Sequence, residues 1–111
     1  MTEQKSEDLK EKVIKLKEMV TYQDGSIVSK MVVYKPSGTI TLFAFDAGEG
    51  LSEHTAPFDA ILNVIDGEAD ITIAKKEFHL TEGQMIIMPA NVPHAVKATQ
   101  RFKMMLTMIH A

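Results

Sequence analysis

The sequence predicts an all-β domain, a sandwich or a closed barrel, and three observations carry that expectation. From Ile27 onward the chain divides into short segments rich in β-branched and other apolar residues. Gly, Pro, Asn and Asp signals punctuate these segments at the rhythm of successive antiparallel strands. The length, 111 residues, suits one domain with one core rather than two domains.

Taken in order, residues 1–26 read as a polar leader followed by a first extended or short helical segment. Its opening "MTEQKSEDLKEK" is almost wholly polar, and Leu9, Val13 and Leu16 are spaced for a modest apolar face. Residues 27–111 read as the barrel domain. Its expected strands are "IVSKMVVY", "TITLFAF", "AILNVI", "ADITIA", "EFHL", "QMIIMP", "HAVKA" and "FKMMLTMI". Between them stand Pro36-Ser37-Gly38, Asp46-Ala47-Gly48, Asp66-Gly67, Thr81-Glu82-Gly83 and Pro89-Ala90-Asn91, where Gly allows positive φ and Pro presets φ. In "TITLFAF" Phe43 and Phe45 share one face while Ile40, Leu42 and Ala44 share the other, so the strand should be covered on both sides. A partner subunit is one source of that cover, and a homodimer is expected.

Composition excludes several function classes. With no cysteine there is no disulfide framework, thiolate metal site or cysteine nucleophile. Twelve basic against 15 acidic residues leave a formal charge of -3 and no basic patch, so nucleic acid is not an expected partner. No apolar run approaches the ~18 residues of a membrane span, and the charged N-terminus lacks the apolar stretch of a signal peptide. A cytoplasmic location is expected. No Gly-rich phosphate loop, G-x-S-x-G elbow or H-E-x-x-H helix is present. Ser6, Ser26, Ser29, Ser37 and Ser52 lack the context of an activated nucleophile.

Two stretches carry the candidate chemistry. The first, "GEGLSEHTAPFDAILNVIDG", runs from Gly48 to Gly67 around His54; the second, "GQMIIMPANVPHAVKA", runs from Gly83 to Ala98 around His94. Together they resemble the two motifs of the cupin superfamily, small double-stranded β-helix barrels of jelly-roll type. The resemblance extends from about Ile27 to Ile109. Gly48, His54 and Gly67 keep the first motif's spacing, with Ala56 in place of its second histidine and Ala60 in place of its glutamate. Gly83, Pro89 and His94 keep the second, with Asn91 in place of Gly and Ala98 in place of Asn.

The resemblance implies a metal site at the barrel interior, of whose four ligands His54 and His94 remain. On a strand, residues two apart face the same way, which is how an H-x-H pair aims two imidazoles inward. Strand alternation gives Asp59, unless the "APFDA" turn is bulged, and likewise Glu53 the wrong parity to replace the lost donors. A divalent ion such as zinc, iron or nickel would therefore have an incomplete shell. The expected pocket comprises His54, Ala56, Ala60, Leu62, His94 and Val96, wider and more apolar than in a metal-loaded relative.

Three functions stay open at this point. One is a small-molecule binding module whose polar groups are the two histidines. Another is a divalent-metal enzyme of the dioxygenase or isomerase type, with substrate completing the shell. The third is a non-catalytic dimeric subunit that binds a partner protein. His79 and His110 lack partners at ligand spacing and read as surface or edge residues, while Met85, Met88, Met104, Met105 and Met108 read as adaptable core or pocket lining.

Overall fold

The computed structural model describes residues 9–110, so the first eight residues of the polar leader and Ala111 lie outside the described residues. A short 3-10 turn at Leu16–Glu18 precedes eight strands: β1 Ile27–Lys35, β2 Gly38–Phe45, β3 Gly50–His54, β4 Asp59–Ile73, β5 Lys76–Thr81, β6 Met85–Met88, β7 His94–Lys97 and β8 Phe102–Ile109. They follow the order β1-β2-β8-β4-β7-β3, with β5 and β6 also paired to β4, and every pairing is antiparallel. No helix among the described residues is long and apolar enough to cross a membrane.

β4 is the spine of the barrel and departs from the sequence expectation. "AILNVI" and "ADITIA" are one strand of 15 residues, and Asp66-Gly67 is a corner within it rather than a turn between two strands. The register shifts between Val64 and Asp66, and Gly67 takes φ +75°. A bulge of this kind bends a strand without ending its pairing. The first half of β4 consequently pairs with β6 and β8, and the second half with β5 and β7. One strand thus serves both sheets.

The inner layer follows strand alternation. Phe45, Ala60, Leu62, Val64, Ala69, Ile71, Val96, Phe102 and Met104 are buried in one cluster, with Phe45 and Phe102 stacked at 4.6 Å between ring centroids. Leu42 and Ala44 face the other way and are fully buried too, beneath Val20, Met19 and Tyr22. Around these two residues the second face of "TITLFAF" is therefore covered by the chain's own leader. The leader is latched there by polar contacts. The Tyr22 hydroxyl donates to Asp66 Oδ2 at 2.6 Å, and the Lys103 ammonium donates to the Lys17 carbonyl while lying 4.9 Å from the Tyr22 ring centroid. The apolar face expected of Leu9, Val13 and Leu16 does not form, since Val13 is fully exposed and Leu16 is exposed; residues 19–22 supply the packing instead.

Candidate functional site

β3 and β7 run antiparallel, with Leu51 opposite Val96 and His54 opposite His94. His54 lies three positions from Leu51 but His94 only two positions from Val96, and the register shift in β3 absorbs the difference. Without that irregularity His54 would fall on the other side of the sheet from Leu51. With it, the two Nε2 atoms stand 3.1 Å apart and the rings meet at 72°. His94 is 4% exposed, whereas His54 is open to solvent.

The other ring nitrogens define the chemistry. His54 Nδ1 lies 2.8 Å from the Ser52 carbonyl oxygen, and His94 Nδ1 lies 3.1 Å from that of Val92. A carbonyl oxygen only accepts, so each Nδ1 carries the proton and donates it. In the neutral rings both Nε2 atoms are then bare acceptors facing each other. The arrangement lacks one electrophile, which a shared proton, a ligand N–H or O–H group, or a metal ion can supply. Fixing Nδ1–H on a backbone carbonyl is also how metal-binding imidazoles are commonly oriented.

Burial pushes the His94 pKa down, and the neighbouring His54 pushes it the same way, against the opposing effect of the Val92 carbonyl. Both effects disfavour adding a proton to His94. Because the native state resists protonation that the unfolded chain accepts near pH 6.5, His94 contributes stability that is lost as pH falls from that value toward its own depressed pKa. His79 behaves oppositely. Its Nδ1 is 2.8 Å from Asp70 Oδ1 and its Nε2 is 2.9 Å from Glu68 Oε1, and these carboxylates, Asp70 foremost, raise its pKa. The stability it contributes is present below pH 6.5 and is lost as pH rises through the raised value. In an imidazole-detected NMR titration His94 should have a midpoint below 6.5 and His79 one above it; the reverse order would contradict both assignments.

His79 is the surface residue that its sequence context suggested, and it carries the two carboxylate partners that the sequence did not reveal. Alternation along β4 and β5 sets it opposite Asp70, a pairing visible from sequence only once the intervening hairpin is located. His110 also has a partner, the Phe58 ring at 4.1 Å between centroids.

The remaining expected pocket residues take several positions. Ala60, Leu62 and Val96 are buried in the inner layer. Ala56 is half-buried in the loop after β3, and its carbonyl accepts the Asn91 N–H at 2.7 Å. Asn91 adopts the left-handed φ of +65° expected where Asn replaces Gly. Asp59 is no substitute ligand: its Oδ1 accepts the Ala90 N–H at 2.8 Å and ties the start of β4 to the loop leading into β7. Among the described residues no three His, Asp or Glu side chains converge as a metal cluster. A cavity of about 400 Å³ lies elsewhere, lined by Phe78, His79, Leu80, Gln84, Met85 and Ile86.

A two-sheet β-barrel with two imidazoles paired at one end, His94 buried and His54 open to solvent, defines a class of barrel proteins, and comparison with known proteins places this chain within it. The chain belongs to the cupin family, whose cupin domain matches residues 41–110. Among solved structures, a conserved protein of unknown function from Streptococcus pyogenes is 34% identical over 91% of this chain and 89% of that one, with a TM-score of 0.86. A cupin 2 conserved barrel domain protein from Leptotrichia buccalis is 44% identical over 84% of this chain and 45% of that one, with a TM-score of 0.81. A cupin superfamily protein from Desulfitobacterium hafniense shares the fold at a TM-score of 0.85 and 23% identity, over 99% of this chain and 100% of that one. No curated protein matches the chain.

Proposed function

We propose that the protein binds a small molecule at the His54–His94 end of its barrel, where the paired Nε2 atoms are the polar recognition element against apolar walls. The observation that carries this reading is the 3.1 Å approach of two bare acceptors whose other nitrogens are already satisfied. Without an electrophile their lone pairs repel; a ligand that supplies one converts that cost into binding free energy.

A metal-dependent activity of the dioxygenase or isomerase type is the second reading, and the same separation favours it. Two donors at Zn–N lengths of about 2.0–2.1 Å sit roughly 2.8–3.0 Å apart on adjacent corners of an octahedron and roughly 3.3–3.4 Å apart in a tetrahedron, and the observed 3.1 Å lies between the two. His54 and His94 fit such an edge, but they bring no negative charge. A bound ion would supply Lewis acidity, while the chain itself holds the two imidazoles in register and keeps their Nδ1 protons on carbonyls.

Calorimetric titration of zinc, with and without oxalate as a small chelating anion, tests both readings. Wild type should bind zinc weakly alone and about tenfold or more tightly with oxalate, which completes the shell and offsets its charge. His54→Ala should lose both effects. Equal binding by wild type and His54→Ala would remove the pair from the site, and tight stoichiometric binding without oxalate would overturn the first reading in favour of the enzyme.

We also propose a homodimer. Outward-facing Ile87 and Met85 on β6, with Met31 and Val33 on the edge strand β1, remain exposed beyond the area that the leader covers. Light scattering at micromolar concentration should give twice the chain mass; the monomer mass would refute the proposal.

A further inference from the structure

We infer that the cation best matched to this site is soft and monovalent, copper(I), held by His54 and His94 together with the thioethers of Met88 and Met108. The inference deepens the reading of the imidazole pair as the binding element and rests on it.

Ala60 is the key position. In the cupin motif this position carries the anionic ligand, and here a methyl group stands in its place. Its cross-strand neighbours are Met88 on β6 and Met108 on β8. Directly opposed residues on antiparallel strands project to the same face, so the missing carboxylate is flanked on both sides by methionine. Both side chains turn inward: Met88 is buried in the inner cluster that includes Ala60 and Val96, and Met108 packs against it. Val96 and His94 are two residues apart on β7 and share that inner face. The same end of the barrel is knitted together by the Asn91–Ala56 and Ala90–Asp59 hydrogen bonds.

The donor set assigned to this end is therefore two imidazoles and two thioethers; among the described residues no three His, Asp or Glu side chains are placed to hold an ion, and the Asp59 carboxylate is already engaged by the Ala90 N–H. Hard and borderline dications gain from anionic oxygen ligands, which this set does not provide. Copper(I) carries a single charge, so it needs less compensation in a buried site, and thioethers are among the ligands that select it. Methionine's unbranched, flexible side chain can bring its sulfur to an ion without moving the strand. Binding itself requires no electron transfer; the ion enters as copper(I).

The test is anaerobic competition for copper(I) against bicinchoninate, combined with X-ray absorption at the copper edge, on the full chain. The sequence contains no cysteine, so any sulfur bound to copper belongs to methionine. Wild type should show both nitrogen and sulfur neighbours. Met88→Leu with Met108→Leu conserves core volume and should remove the sulfur shell, weakening copper(I) by about tenfold or more while leaving zinc binding unchanged. Copper(I) bound by nitrogen alone, equally tightly in wild type and the double leucine variant, would overturn the thioether assignment and leave the imidazole pair standing. Copper(I) affinity unchanged in His54→Ala would remove the pair itself, and no competition by wild type would overturn the inference outright.

Discussion

Replacing Ala56 by His and Ala60 by Glu is expected to raise zinc affinity by at least about a hundredfold, since two added direct donors should outweigh the roughly 10–100-fold effects of outer-shell groups. Each substitution supplies a donor that the cupin motif has and this chain lacks. Ala60 is 2% exposed between Met88 and Met108, so a glutamate there loses water, and its pKa rises unless a cation compensates. The apo double variant should consequently melt below wild type. Zinc at a hundred times its Kd should then restore about 2.7 kcal/mol by mass action. The single variant Ala60→Glu separates the effects, because it carries the burial cost without the histidine from position 56. Calorimetry and thermal melts with and without chelator read out both. If the double variant bound zinc no better than wild type, positions 56 and 60 could not reach the ion held by His54 and His94.

How much of this was legible in the sequence depended on whether a feature resides in side-chain pattern or in backbone. The two faces of β2 follow from alternation in "TITLFAF" and are observed as read. β3 was missed because "GLSEH" offers only Leu51 as an apolar residue and exposes most of its length. The β4–β5 turn was hidden because Ala74 and Lys75 take the two positive φ values of a type I′ hairpin turn without being the Asn, Asp or Gly residues that usually fill it. Motif spacing brought His54 and His94 into one register. The carbonyls of Ser52 and Val92 that fix their tautomers could not be read, since every residue carries a carbonyl and only geometry selects these two. The methionines beside Ala60 were visible as a cluster, but their placement on both sides of it required the register of three strands.

Gly67→Ala should be the most damaging single small substitution in the barrel, costing about 3 kcal/mol and on the order of 10–20 °C in Tm. Two causes combine at this residue. Its φ of +75° is left-handed, which costs an L-residue roughly 1–2 kcal/mol. Its Cβ would also stand 2.4 Å from the Arg101 carbonyl oxygen and 3.0 Å from both Cα and Cβ of Phe102. That neighbour cannot yield cheaply, because the contact is backbone and because Phe102 is fully buried and stacked on Phe45. Opening the corner would shift the register that lets β4 serve both sheets. Gly83→Ala is the matched control: Gly83 has φ +90° but nothing within 4 Å of an added Cβ, so it bears the conformational cost alone, roughly 1–2 kcal/mol. Thermal and urea denaturation of the two variants should therefore differ by about 1–2 kcal/mol, consistent with an overpacking cost. Equal destabilisation would show that the close approach at the β4 corner relaxes freely, and that backbone conformation alone makes glycine necessary there.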